Sequence, residues 1–587
     1  MTYEPQRWTL EGLLPEIGSD AYEDYVADIN RRLDAFEAVR EDLAGDMDES
    51  DFVHILERYE DLHAEMARLV AYSYLWFSED TSDQEALTFR AQIREFVADA
   101  DNRTLFFSLW WKSLDDEAAE RLMAVSGDLR YFLESLRRFK PYTLSELVEQ
   151  TINVKDTNGI GAVLTIYDMI TTGFTYHLTV EGEEKELTRG ELLSYVFSPR
   201  PELREAAYQE LYRIFGQNAD VLAQIYMARV RDWYQENVKL RGHPQPISVR
   251  NLDNDIPDEV VDTLLEVIRE NIGLFQRYFR FKAQQLDVDC LRRYDIYAPL
   301  VDIETEYSFD EAVRMVDEAY RSFSPALADA AMSILKARHL DAEVRARKMG
   351  GAYCYSVLPG LEPWVLVNFT GKINDVSTLA HELGHGVHGL MAAKHSPLTF
   401  HSALPMAETA SVFGEMLLID KLLGEESDEV RRSLLNSFMA DAYATIVRQA
   451  YFVLFEKQAH RMIREGTTSD KLQEAYLNNL REQFGDAVEI SDDFRLEWLA
   501  IPHIYKTPFY CYAYAFGNLL VLSLYRKYKE IGREDFVPQY LRILSYGGSA
   551  SPEHIIGEAG FDMASPEFWR GGFEVLEEML DELEALS

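Results

Sequence analysis

Apolar residues recur at three- and four-residue spacing over long stretches of this chain, at 20–45, 51–78, 84–112, 258–284, 309–337 and 427–465. That spacing gathers apolar side chains on one face of a helix, so each stretch predicts amphipathic helix. Strict alternation, the mark of a half-buried strand, is rarer. It occurs near 174–180 (FTYHLTV) and in a hairpin predicted from 352–358 (AYCYSVL) and 364–370 (WVLVNFT) around Pro359-Gly360. Pro and Gly cluster at breaks such as SPRP at 198–201 and GHPQP at 242–246. The predicted fold class is mainly α with a small sheet or hairpin. Three regions follow along the chain: an N-terminal helical region over 1–110, a mixed stretch with strand character over 111–190, and a remainder over 191–587 that is helical except for the hairpin.

With 587 residues, the chain exceeds what one core holds. Single cores rarely grow past about 250–300 residues, so at least two subdomains are expected. Hydrophobic residues at 47% place it among globular proteins rather than disordered ones. The 101 Asp and Glu against 58 Lys and Arg give a net charge of −43. Such a surface repels nucleic acid and anionic membranes, so neither is an expected partner. It suits a salty cytoplasm as well as an ordinary one. Three scattered cysteines, Cys290, Cys354 and Cys511, imply no disulfide framework and read as small buried apolar residues. The opening MTYEPQRWTLEGLLPEIGSD lacks a basic start followed by an apolar run, and no stretch approaches the roughly 20 apolar residues of a membrane span. A cytoplasmic location is expected, as a monomer or small homo-oligomer.

Residues 381–385 read His-Glu-Leu-Gly-His. Asp375 looks like the N-cap of a helix carrying them. On a helix, positions i and i+4 share a face, so His381 and His385 can aim two imidazoles at one ion while Glu382 reaches a water beside it. A catalytic zinc needs a third protein ligand and an open position. His388, His395 and His401 lie nearby, but His388 is seven residues, about 10 Å of rise, from His381. Glu408 is the stronger candidate. It falls in LPMAETASVFGE (404–415), read as a new helix with Pro405 in its first turn, and 23 residues separate it from His385, enough for a turn and an antiparallel return. Glu415, seven residues further, could orient a ligand imidazole.

HELGHGVHG at 381–389 followed by AETASVFGE at 407–415 resembles the M3 family of zinc oligopeptidases, specifically its oligoendopeptidase F branch. HIYKTPFYCYAYAFG at 503–517 and LSYGGSASPEHIIGEAGFD at 544–562 resemble the same branch. The resemblance implies a two-lobed helical shell around a deep channel, with short peptides as substrates. It implies one Zn²⁺ per chain on His381, His385 and Glu408, with Glu382 as general base. It also implies that His and Tyr residues of the 503–517 segment stabilise the oxyanion of amide hydrolysis. Thr507-Pro508 reads as an N-cap and first helical residue, which would set Tyr510 and Tyr514 on one face. His503 and Tyr510 are the first choices, Tyr514 the next and Tyr505 the last. The expected activity is endopeptidase action on short unstructured peptides. A zinc carboxypeptidase or other exopeptidase is the alternative, since the metal chemistry would be the same. Strand 364–370, if exposed, could pair with an extended peptide.

Overall fold

The computed structural model describes residues 3–300 and 306–586 and is dominated by helices, with three small sheets among the described residues. The chain divides into two compact units. The first comprises Met1–Thr143, Glu304–Glu425 and Leu524–Asp562; the second comprises Leu144–Ile303, Glu426–Ser523 and Met563–Ser587.

The first unit begins with helices α1 (Asp20–Ala38), α2 (Glu49–Glu79) and α3 (Gln84–Ser113). Each starts at a capping side chain: Ser19, Asp48 and Asp83 accept hydrogen bonds from backbone amides of the first turn, which the helix itself leaves unpaired. Their apolar stripes meet in an aromatic core in which Phe36, Phe52, Phe107 and Trp111 are fully buried. Burying each such ring contributes about 1.5–3 kcal/mol. Later in the same unit, α4 (Phe309–Phe323) opens with a capping box between Ser308 and Glu311. Helix α5 (Ile373–Met391) carries the HELGH segment, and α6 (Ser411–Glu425) packs against it.

Asp375 is not the N-cap of α5. The helix begins at Ile373, and Asp375 sits at its third position, where its carboxylate accepts from the backbone amides of Lys372 (3.1 Å) and Thr370 (2.7 Å). The predicted hairpin is present, but its strands are short and differently ordered. Strands β1 (Leu340–Asp341), β2 (Tyr353–Tyr355) and β3 (Trp364–Leu366) form a sheet in the order β1-β3-β2. β3 pairs parallel with β1 and antiparallel with β2, so Cys354 faces Val365. The 364–370 strand is therefore a buried centre rather than an exposed edge; β2 is an edge.

In the second unit, the strand predicted near 174–180 is Tyr176–Val180, paired with Glu183–Leu187. Glu181 and Gly182 both take positive φ (55° and 85°), the requirement of a tight two-residue hairpin turn. The helical run over 427–465 contains a π-helical turn, Tyr443–Val447, before α7 (Arg448–Glu465). The short helix α8 (Pro502–Lys506) and the 20-residue helix α9 (Tyr512–Ile531) follow. Thr507 ends α8 instead of capping a helix at Pro508. Buried charge is paired here: Glu497 accepts from Arg293 and Arg448, each at 2.9 Å. The cysteines are free, but Cys290 is exposed rather than buried, since it lies in the connection just before the short strand Leu291–Arg292. Among the described residues no helix is long and apolar enough to cross a membrane.

Candidate metal centre

Helix α5 delivers His381 and His385 one turn apart, with ring centroids 4.8 Å apart. Its apolar face, formed by Val376, Leu379, Ala380, Leu383 and Val387, is buried, and this fixes the helix rotation that presents the two imidazoles. Glu408 meets them from the segment before α6. That segment is a 3-10 turn, Leu404–Thr409, rather than the start of the α-helix. Its carboxylate Oε2 lies 3.4 Å from His381 Nε2 and 3.5 Å from His385 Nε2. Among the described residues, His381, His385 and Glu408 form a group whose donor atoms all lie within 4.8 Å of one another.

The close approach of α6 to α5 depends on Gly384. A Cβ there would stand 2.6 Å from the Ala410 carbonyl oxygen and from Ser411 Cα, both backbone atoms that cannot yield cheaply. Gly389 leaves room for the Ser356 side chain, just past the end of β2, which a Cβ there would meet. The two glycines thus let the segment before α6 and the segment after β2 close on one helix.

Surrounding groups orient the donors. His381 Nδ1 donates to Glu415 Oε1 at 3.0 Å, leaving Nε2 facing Glu408. Ser411 Oγ donates to Glu408 Oε2 at 2.8 Å. Tyr320, fully buried in α4, donates its hydroxyl proton to the Ala380 carbonyl just before His381. Nothing in the local sequence announces Tyr320, because its partner is 60 positions away. Burial disfavours charge on His381, but Glu415, Glu408 and Glu382 outweigh it and push its pKa up to about 9. Burial drives His385 down to about 4, against the pull of Glu408.

Glu382 is 7% exposed and its Oε2 has no hydrogen-bond partner. Burial, then the charges of Glu408 and Glu415 acting against that of His381, raises its pKa to about 7. A carboxyl with that affinity can take and release a proton near neutrality. The group lines a cavity of about 610 Å³, together with Tyr355, Ser356, His381, His385 and His401. That volume is ordinary for a ligand site. His388 is buried in the cavity wall and outside the donor group, and its pKa is pushed down to about 4 by burial. His395 is taken up elsewhere, with Nδ1 2.7 Å from Asp128 and Nε2 2.8 Å from the Ser545 carbonyl.

In the second unit His503, Tyr510 and Tyr514 form a cluster. His503 stacks at 12° on Tyr510 with centroids 5.8 Å apart, and Tyr514 stands 6.1 Å from His503 and 5.3 Å from Tyr510. Burial, Lys506 and Arg448 all hold His503 below its ordinary pKa. Tyr505 is not part of this group. It is fully buried, stacked on Tyr167 at 4.1 Å, and its hydroxyl donates to the Leu222 carbonyl.

The donor set fits a small divalent cation. Tetrahedral zinc with ligands at about 2.0–2.1 Å holds their donor atoms about 3.3–3.4 Å apart, close to the two His–Glu distances. Two imidazoles one turn apart, a carboxylate facing both and a buried glutamate between them are the parts of an HExxH metallohydrolase. The chain belongs to peptidase family M3, whose profile matches residues 194–575, and it is a metalloendopeptidase. It is 28% identical over 556 residues to the oligopeptidase PepF of Bacillus subtilis (strain 168), covering 92% of this chain and 82% of that protein. It is 29% identical to the chromosomal oligoendopeptidase F of Lactococcus lactis subsp. cremoris, over 72% of this chain and 70% of that one. The crystal structure of oligoendopeptidase-F from Enterococcus faecium superposes with a TM-score of 0.73 at 22% identity, covering 96% of this chain and 98% of that chain, a likeness of fold.

Proposed function

We propose that the chain is a zinc-dependent oligoendopeptidase of the cytoplasm, binding one Zn²⁺ through His381, His385 and Glu408 and cleaving internal bonds of short peptides. The observation that carries the reading is the convergence of both Nε2 atoms on Glu408 Oε2 at 3.4 and 3.5 Å, beside a buried carboxyl with an unpaired oxygen. Zinc supplies Lewis acidity when bound. The remaining work falls to the chain. Glu382 takes a proton from the attacking water through Oε2 and returns it to the leaving amine. Glu415 and Ser411 keep His381 and Glu408 in their orientations. His503, Tyr510 and Tyr514 are assigned as donors to the substrate carbonyl oxygen as negative charge builds there. β2, an edge of its sheet, is the strand assigned to pair with an extended substrate, in place of β3.

The test is an internally quenched peptide blocked at both ends. Wild-type enzyme should cleave it, a chelator should stop cleavage, and Glu382→Gln should keep its zinc while losing about 10²–10⁴-fold in kcat. Cleavage only of peptides with a free end would assign an exopeptidase instead. Full activity in Glu382→Gln would remove Glu382 from the reaction.

A further inference from the structure

Helix α7 carries a buried carboxyl that the reaction does not use. Glu456 is fully buried, and its Oε1 accepts the backbone N–H of Phe509 at 2.8 Å. Phe509 adopts φ 59°, the left-handed region that a bulky side chain seldom enters. It lies between His503 and Tyr510, in the connection from α8 to α9, and it is buried with its ring 4.6 Å from that of His460 on the next turn of α7. Two arginines hold the same segment by its carbonyls: Arg229 donates to Tyr505 at 3.1 Å and Arg250 to Pro508 at 3.5 Å. Glu456 is thus the acceptor in a set of three side chains that grip the backbone of one segment at Tyr505, Pro508 and Phe509. Its other oxygen, Oε2, has no hydrogen-bond partner, and neither have the ring nitrogens of His460. An amide acceptor is what this carboxyl supplies.

We infer that Glu456 is a positioning residue for the reaction: by holding the Phe509 amide it fixes the left-handed turn that brings Tyr510 against His503. The inference rests on the assignment of His503 and Tyr510 as donors to the substrate. Phe509 lies in the connection between α8 and α9, and Tyr510 follows it directly, so rotation at Phe509 swings the Tyr510 ring off the His503 face. Displacement of such a donor by about 1 Å costs about 10²-fold in rate while leaving the substrate's ground-state contacts in place. Burial raises the Glu456 pKa to about 8, so at neutral pH the carboxyl is protonated and a glutamine is its close mimic.

The experiment compares zinc-loaded Glu456→Gln, Glu456→Asp and Glu456→Leu, each normalised to folded, metal-bound protein. Glutamine keeps an acceptor at the Oε1 position, aspartate withdraws it by one methylene, and leucine removes it. The expected order of kcat is wild type close to Gln, then Asp, then Leu, with Leu down about 10- to 100-fold and KM changed less than threefold. Affinity for a phosphinic peptide, which imitates the tetrahedral transition state, should fall in the same order. Tyr510→Phe is measured alongside. In the Tyr510→Phe background the loss from Glu456→Leu, or from Glu456→Asp if the leucine variant does not fold, should shrink to less than threefold. Equal kcat in the Gln, Asp and Leu variants, or in Gln and Asp alone when Leu does not fold, overturns the positioning role. An undiminished kcat in Tyr510→Phe overturns the donor assignment beneath it, a result distinct from the first.

Discussion

At the scale of single residues, position in the chain says little about the state of a side chain. His381 and His385 share a motif and a helix face, yet Glu415 stabilises charge on one while burial suppresses it on the other. Glu456 shows the same point away from the metal centre. Burial raises its pKa from 4.5 to about 8, with the Phe509 amide and Arg250 pulling it back. A carboxyl with a raised native pKa contributes stability that is complete below its unfolded pKa and is lost as pH rises through the native one. The window here runs from about 4.5 to about 8. His460, facing the same core, is held down to about 3 and stays neutral throughout. Wild type should therefore lose thermal stability relative to Glu456→Gln between pH 5 and pH 8, and the two melting curves should run parallel above that. Identical pH profiles from pH 5 upward would show that Glu456 ionises as freely folded as unfolded.

Among elements, the helices were readable because 3.6-residue periodicity is a local property. The stretches at 51–78, 84–112 and 309–337 contain helices within a few residues of the predicted limits. The two imidazoles and Glu382 were legible for the same reason, since one helical turn relates them. Glu408 was legible as a candidate, but its 3-10 turn was not, because the turn is set by contact with α5 at Gly384. Order within the sheet was hidden as well. β3 is central because β1, 23 or more positions upstream, pairs with its other edge. The start of α9 at Tyr512 instead of Pro508 follows from the Phe509 turn, which answers to a glutamate 53 positions earlier. Gly384→Ala tests the closest of these contacts. Forcing α5 and α6 apart should cost about 1–3 kcal/mol of stability and weaken zinc binding, read by melting and by competition with a chelating dye. Unchanged stability and affinity would mean that the interface absorbs a methyl group.

For the whole molecule, the dominant long-range quantity is the net charge of −43. Like charges spread over a folded surface oppose compactness, and mobile ions relieve that strain. Raising salt from about 0.1 to 1 M shortens the screening length from about 10 to about 3 Å. The melting temperature of the zinc-loaded protein should rise by several degrees over that range; a constant or falling value would assign the charge no part in stability.

The proposed arrangement of the metal centre can be put to one direct measurement, the zinc stoichiometry and affinity of wild type and Glu408→Ala by competition titration. Removing a partner that only orients a ligand costs about 10–100-fold in affinity, so removing a ligand should cost more. The prediction is one zinc per wild-type chain and affinity weakened by more than about 100-fold in the variant, with the helical signal retained. Equal affinity in the two proteins would contradict the assignment of Glu408 beside His381 and His385.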